Sequence, residues 1–366
     1  MRFRFSHRTF LVAVAMIAIS VAIARLYAVR IYNDAAKHQQ AVLELHGFVR
    51  SRAAGKPTIW TSLARKWIHP HAFDKSEVLL ISPEWPSLRK RLNSIKDSNG
   101  IECIQGEVDS LSQSEARLVY GSPELNQVIL RVNGLAEPGV FSFIASKPKL
   151  KTLWIMSPID AEMIDAISKN PSLENLTVDC DSLTREQIMT ITHTRTVKNL
   201  GLNDAAVDAS LVNSLKKMPQ LRGLTLEDSR LTNEAIEEMS RLNLTTLSIT
   251  GRQQLPTSIE VLSRNPLLKR LTIEVECQRT PNDIASFIDC SALEKLILSK
   301  CVIDDESLHI LSTHPTLKTA AFTCDVPDEV AQAFVDAMPD RTLTLYGNGI
   351  RTFTSTKKSP ATPMNP

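Results

Sequence analysis

A short template, L-x-x-L-x-L, recurs through most of this chain and constrains its fold more tightly than any other feature. Aliphatic residues open it at Leu125, Leu150, Leu173, Val197, Leu221, Leu244, Leu268, Leu293 and Leu317, so successive starts lie 23 to 25 residues apart. A proline stands two positions before six of these starts (Pro123, Pro148, Pro171, Pro219, Pro266 and Pro315), and Pro339 keeps the phase one period later. A steady period in this range specifies stacked units, a solenoid, in place of one closed core.

Each period divides into two kinds of pattern. In the first half, Val128-Ile129-Leu130, Leu176-Thr177-Val178, Leu224-Thr225-Leu226 and Leu271-Thr272-Ile273 alternate inward and outward positions, as a short strand does. The second half spaces its apolar residues by three to five: Leu183, Ile188 and Ile191; Leu231, Ile236 and Met239; Ile303, Leu308 and Leu311. That spacing makes one buried face on a short helix. Thr184 with Gln187, and Thr257 with Glu260, read as capping boxes at helix starts, and the recurrent proline ends the helix before the next strand. A lone unit leaves two apolar edges in water. Stacking removes both, giving a parallel sheet on the concave side, helices on the convex side and one continuous aliphatic core.

This pattern resembles the leucine-rich repeat, L-x-x-L-x-L-x-x-N/C-x-L. Leu125, Val128, Leu130, Asn133 and Leu135 fill every consensus slot, and Cys301 fills the Asn/Cys slot of its own unit. Elsewhere that slot holds Asp181, Ala205 or Ser229, so no continuous asparagine ladder can form and the turns need other hydrogen-bond partners. The resemblance covers about residues 125 to 345 and implies an α/β leucine-rich-repeat solenoid of the helix-bearing kind. Weaker phase continues upstream, in Ile101-x-x-Ile104 and Val78-x-x-Ile81, and Leu343 and Leu345 would supply a closing strand.

The N-terminus is a different kind of segment. From Phe10 to Ala24 there is no charge, and Phe10 to Val29 is long enough to span a bilayer if Arg25 snorkels to the headgroups. The preferred reading is a retained single-pass transmembrane anchor over residues 10–29, because Leu26, Tyr27, Val29, Ile31 and Tyr32 prolong the apolar character. A signal peptide cut after Ala22-Ile23-Ala24, leaving a secreted repeat protein, also fits. Arg2, Arg4 and Arg8 before the run balance Arg25, Arg30 and Lys37 after it; the short basic N-terminus favours an exported C-terminal domain, periplasmic or otherwise extracytoplasmic. The stretch Arg4-Phe5-Ser6-His7-Arg8-Thr9 is similar to the start of bacterial leucine-rich-repeat proteins with one N-terminal membrane anchor.

Four segments follow: basic flank and anchor, 1–32; a Trp-rich cap region, 33–100, with Trp60, Trp67 and Trp85; the repeats, 101–350; and a polar, Pro-containing disordered tail, 351–366. The chain carries a net +2, but residues 1–40 hold +5 and the tail +3, which leaves −6 for residues 41–350. A solenoid of that charge is a poor nucleic-acid binder.

Motifs for chemistry are few. His69-Pro70-His71 lacks the helical spacing and the nearby cysteines of a metal site, so no metal or cofactor is expected. The six cysteines form no C-x-x-C and read as core thiols, although Cys277, Cys301 and Cys324 lie one repeat apart and could approach in an exported protein. Gly55-Lys56 is followed by Pro57, which spoils a phosphate loop, and no hydrolase or dinucleotide motif occurs. The expectation is a non-catalytic module that binds a protein partner through its concave strand face, at Trp154, Asp179, Asn203 and Glu227. Trp154 is the large aromatic that the phase places outward, and the acids would select a basic partner. A small enzyme in residues 38–100 is the alternative.

Overall fold

The computed structural model describes residues 102–356, apart from 120, 135, 253–258, 276–283, 285, 300–302, 324–325 and 348, together with two upstream strands. The anchor at 10–29, the three cap tryptophans, the His69 and His71 pair, Thr257, the triad Cys277, Cys301 and Cys324, and the tail from Lys357 lie outside the described residues. The chain divides into two compact units between Lys149 and Leu150.

In the first unit β1 (Val49–Arg52) runs antiparallel to β2 (Lys75–Ile81). Parallel pairing then joins β2 to β3 (Cys103–Val108) and β3 to β4 (Gln127–Val132). The upstream repeats therefore exist as strands. Their phase needs one correction, because Leu79, not Ile81, stands opposite Ile104. Helices α1 (Gln113–Val119) and α2 (Val140–Ala145) accompany these strands. Asn133 fills its consensus slot without turning inward: it is exposed, and its amide donates to Glu107 at 2.7 Å.

The second unit repeats one theme. Strands β5 (Thr152–Met156), β6 (Asn175–Asp179), β7 (Asn199–Asn203), β9 (Gly223–Glu227) and β11 (Thr246–Thr250) stand in that order in one sheet. The order continues through β12 (Arg270–Glu274), β13 (Lys295–Leu298), β14 (Thr319–Phe322) and β15 (Thr342–Gly347). Pairing is parallel without slip, so Leu176, Leu200, Leu224, Leu247, Leu271 and Leu296 occupy one row. All of them are buried, as is the next inward row of Val178, Leu202, Leu226, Ile249, Ile273 and Leu298. Each buried aliphatic contributes roughly 1.5–3 kcal/mol, and the repeat multiplies that contribution. Two tiny strands, β8 (Ala206–Val207) and β10 (Arg230–Leu231), pair in parallel beside the main sheet.

Between strands lie α3 (Ala161–Lys169), α4 (Arg185–Ile191), α5 (Ala209–Leu215), α6 (Asn233–Ser240), α7 (Asp305–Ser312) and α8 (Asp328–Asp336). Five of these begin on a side-chain cap: Asp160, Thr184, Asp208, Thr232 and Asp304 each accept a backbone N–H three residues on. At Thr184 the reciprocal bond from its own N–H to Gln187 completes the expected capping box. Two repeats differ from the expected α-helix, carrying 3-10 turns at Ile259–Arg264 and Ser286–Asp289.

At one turn a hydroxyl takes the place of the consensus asparagine. Ser229 Oγ accepts the Ala205 N–H and lies 3.1 Å from the Leu202 carbonyl, bridging to the preceding repeat. At the C-terminal end, Arg341 stands where the template expects leucine. It is 1 % exposed, and its guanidinium donates to the carbonyls of Ser312, His314, Leu317 and Phe334. Residues 351–354, expected in the tail, belong instead to β16 (Gly349–Thr354), which folds back antiparallel on β15.

Among the described residues no helix is long and apolar enough to cross a membrane. Cys180 and Cys290 are unbridged and buried; burial pushes their thiols up to about 12 and about 11. Such thiols are poor nucleophiles.

Candidate functional site: the open strand face

Alternation along each strand decides which side chains leave the core. Leu153 and Ile155 are fully buried, so Trp154 between them points to the open face of β5, where it is 36 % exposed. On β6, β7 and β9 the same alternation turns Asp179, Asn203 and Glu227 outward, and the register sets them opposite one another in that order. Neighbouring strands are roughly 4.8 Å apart, so this row spans about 10 Å. Trp154 faces Thr177, two residues back from Asp179. Three of the four expected residues therefore share one row, and Trp154 flanks it on the adjacent strand.

Their environments differ. Glu227 is exposed and Asp179 half-buried, with its Oδ1 accepting the Asp181 N–H at 3.1 Å. Asn203, expected on the open binding face, is nearly enclosed: it is 8 % exposed, and its Oδ1 is a buried acceptor without a hydrogen-bond partner.

The row is extended by two acids that sequence reasoning passed over. Asp204 and Asp228 follow β7 and β9 in the left-handed region, at φ 54° and 49°. That conformation suits aspartate better than most side chains. It lets their N–H groups carry the ladder one step further, Asp204 to the Glu227 carbonyl (2.8 Å) and Asp228 to that of Thr250 (2.9 Å). Gly251 holds the equivalent place in the next repeat at φ 134°, where a Cβ would lie 2.6 Å from Asp228 Oδ1. Burial, followed by the charges of Asp179, Asp228 and Asp181, holds the Asp204 carboxyl above the ordinary carboxylate range. The signal for this pair was the repeat itself, since both acids fall directly after the strand at a spacing of one period.

Closer to the strand starts, Asn175 donates to Thr152 Oγ1 (3.0 Å) and Asn199 to Asn175 Oδ1 (2.6 Å). Gly223 ends this polar chain, because a Cβ there would sit 2.2 Å from Asn199 Oδ1. The result is a rigid platform with an acceptor-rich end. The carboxylates of Asp179, Asp204, Glu227 and Asp228 can receive N–H donors and positive charge. No histidine or accessible thiol accompanies them. Among the described residues no group of three or more His, Cys, Asp or Glu side chains is placed to hold a metal ion.

Comparison with known proteins yields structural likeness alone. No family model matches the chain, and no curated protein does. Among solved structures, internalin C2 from Listeria monocytogenes aligns over 58 % of this chain and 84 % of its own, at 15 % identity and a TM-score of 0.35. A chain from the yeast Rad7 and Elc1 complex aligns over 88 % of this chain and 94 % of its own, at 14 % identity and a TM-score of 0.40. Likeness at this level says nothing of activity or partner; the repeat architecture rests on the strand register above.

Proposed function

We propose that this chain is a membrane-anchored leucine-rich-repeat module that binds a protein partner, without catalysis of its own. The anchor is the apolar segment 10–29, with the repeats on the exported side of the membrane. The binding surface is the open strand face at Trp154, Asp179, Asn203 and Glu227. The observation that supports the reading is an exposed Trp154 beside a row of outward strand positions that carries Asp179 and Glu227. Large aromatics anchor protein interfaces, and charge beside them selects and steers the partner.

A photoreactive amino acid placed at Trp154, and separately at the exposed Glu234 on α6, tests the face in intact membranes. Illumination should give a discrete protein adduct from position 154 and none from position 234. An adduct from 234 alone would move the interface to the helices.

A further inference from the structure

β16 is the last strand in the sheet order, and among the described residues no strand pairs with its outer edge. Ser355 donates to the Arg341 carbonyl at 2.9 Å, which fixes the alternation along the strand. Residues 349, 351 and 353 bond back to β15, while Ile350, Thr352 and Thr354 turn their N–H and C=O groups away from it. Helix α8 covers only the far end of that edge. Its Gln332 donates to the Thr354 carbonyl at 3.5 Å, and its Asp336 accepts the Thr356 N–H at 2.9 Å. Neither reaches the backbone of Ile350 and Thr352, and Ile350 is 75 % exposed with Thr352 and Thr354 exposed beside it.

An open edge invites a further strand, and proteins blunt such edges with charges, prolines or bulges. The other terminal strand is blunted in that way: β1 carries Arg50 and Arg52, and its register slips between Arg50 and Ser51. β16 has no proline and pairs without slip. Its one charge, Arg351, is held on the helix side by Asp328 (2.6 Å) and the Val326 carbonyl (3.1 Å).

That charge selects what can seat here. A copy added head to tail would have to offer β1, setting Arg50 and Arg52 against Arg351 across a bulge. Two β16 strands meeting antiparallel about a two-fold axis avoid this. With the axis at Thr352, outward-turned residues face one another, Thr352 against Thr352 and Ile350 against Thr354, and Arg351 lies opposite Phe353. An axis at Arg351 would oppose two guanidinium groups. An axis at Phe353 would set Ile350 against Thr356, whose N–H is already taken by Asp336.

We infer that β16 is a self-association surface, on which a second copy of this chain adds its own β16 in antiparallel register about Thr352. The pair uses up both β16 edges, so association stops at a closed dimer. None of Trp154, Asp179, Asn203 or Glu227 takes part, so this dimer stands independently of the open strand face.

Cysteines in the full-length chain, oxidised mildly in membranes, read the register directly. Thr352→Cys should form a covalent dimer above the background of the unaltered chain, because a hydrogen-bonded antiparallel pair holds its Cα atoms about 5.5 Å apart, within disulfide reach. Ile350→Cys alone should not, since its two copies would lie about 14 Å apart. Co-expressed with Thr354→Cys chains, it should. Adding Thr352→Pro to both co-expressed chains should lower that product at least about tenfold, because the ring removes the N–H given to the other copy. The melting temperature should not change, as that N–H bonds nothing in β15. Thr352→Lys, which keeps the backbone intact and opposes two ammonium groups, is a second blocking variant.

No dimer from Thr352→Cys, or an equal yield from Ile350→Cys alone, would overturn the paired edge. So would a mixed product that survives both blocking variants. An adduct of Thr352→Cys with a different protein would overturn the second copy as occupant. A thiol at position 352 that reacts with maleimide only after residues 357–366 are deleted would do the same, by assigning the edge to the chain's own C-terminus.

Discussion

Three residues in the second unit carry out one task with two chemistries. Asn170 and Asn265 each precede a proline and accept the N–H two residues on, at 2.9 and 3.0 Å. In the same place His314 accepts the Thr316 and Leu317 N–H groups on Nδ1 and stands 3.2 Å from the Cys290 carbonyl through Nε2. The ring must be neutral with its hydrogen on Nε2, because a proton on Nδ1 would face two donors. Burial, with the Arg341 guanidinium as a further cause, holds its pKa below the ordinary 6.5. The unfolded chain then takes the proton first as pH falls. Stability owed to neutral His314 is therefore complete above about pH 6.5 and declines as pH drops toward the folded value. His314→Asn should mimic Asn265 and lose this dependence, so that the melting temperature of the unaltered protein falls relative to the variant between about pH 7 and pH 5.5. Parallel curves would contradict the assignment. Arg341 makes a larger demand. Arg341→Ala strips donors from four carbonyls at the end of the core and should cost on the order of 3 kcal/mol in denaturant unfolding. Neither residue was legible as structural beforehand: a histidine before proline and an arginine in a leucine slot look like exceptions until the phase places them inside.

At the scale of elements the sequence was most readable where period and polarity agree. Alternation around Leu224, Thr225 and Leu226 assigns the core face of β9 outright, and the structure buries the two leucines and exposes the threonine. Leu226→Asp should thus lower stability by at least about 3 kcal/mol and unfold neighbouring repeats with it, while Thr225→Asp should change it by less than about 0.5 kcal/mol. Thermal melts of the pair followed by circular dichroism decide the matter, and equal losses would place the strand out of phase. Helix starts were equally plain at Thr184, where the cap and its reciprocal partner sit three apart. Helix type was not. Ile259 with Leu262, and Phe287 with Cys290, repeat at a spacing of three that suits a 3-10 turn as well as an α-helix, so the apolar pattern cannot separate them. In the outward row, alternation gave the direction of Asp179, Asn203 and Glu227 but not the burial of Asn203. Burial there depends on what two adjacent strands place beside it. Asp204 and Asp228 were overlooked because the strand pattern stops one residue short of them.

For the whole molecule, charge and hydropathy separate the ends from the repeats. Residues 41–350 carry −6 against +5 in residues 1–40, which suits basic flanks at a membrane and an acidic surface turned toward a partner. If residues 10–29 stay attached, carbonate washing should leave the full-length chain in the membrane pellet, and N-terminal sequencing should not begin at Arg25. A soluble product starting at Arg25 would mean a cleaved leader. The central claim, that a partner docks on the open strand face and is drawn there by its acids, is tested most directly by surface kinetics. The protein cross-linked at position 154 would be bound to the full-length chain at low and at high salt. Association of the unaltered chain should slow markedly with salt while dissociation changes little, and Asp179→Asn with Glu227→Gln should flatten that dependence. Association rates that superimpose for the two proteins at both salt concentrations would contradict it.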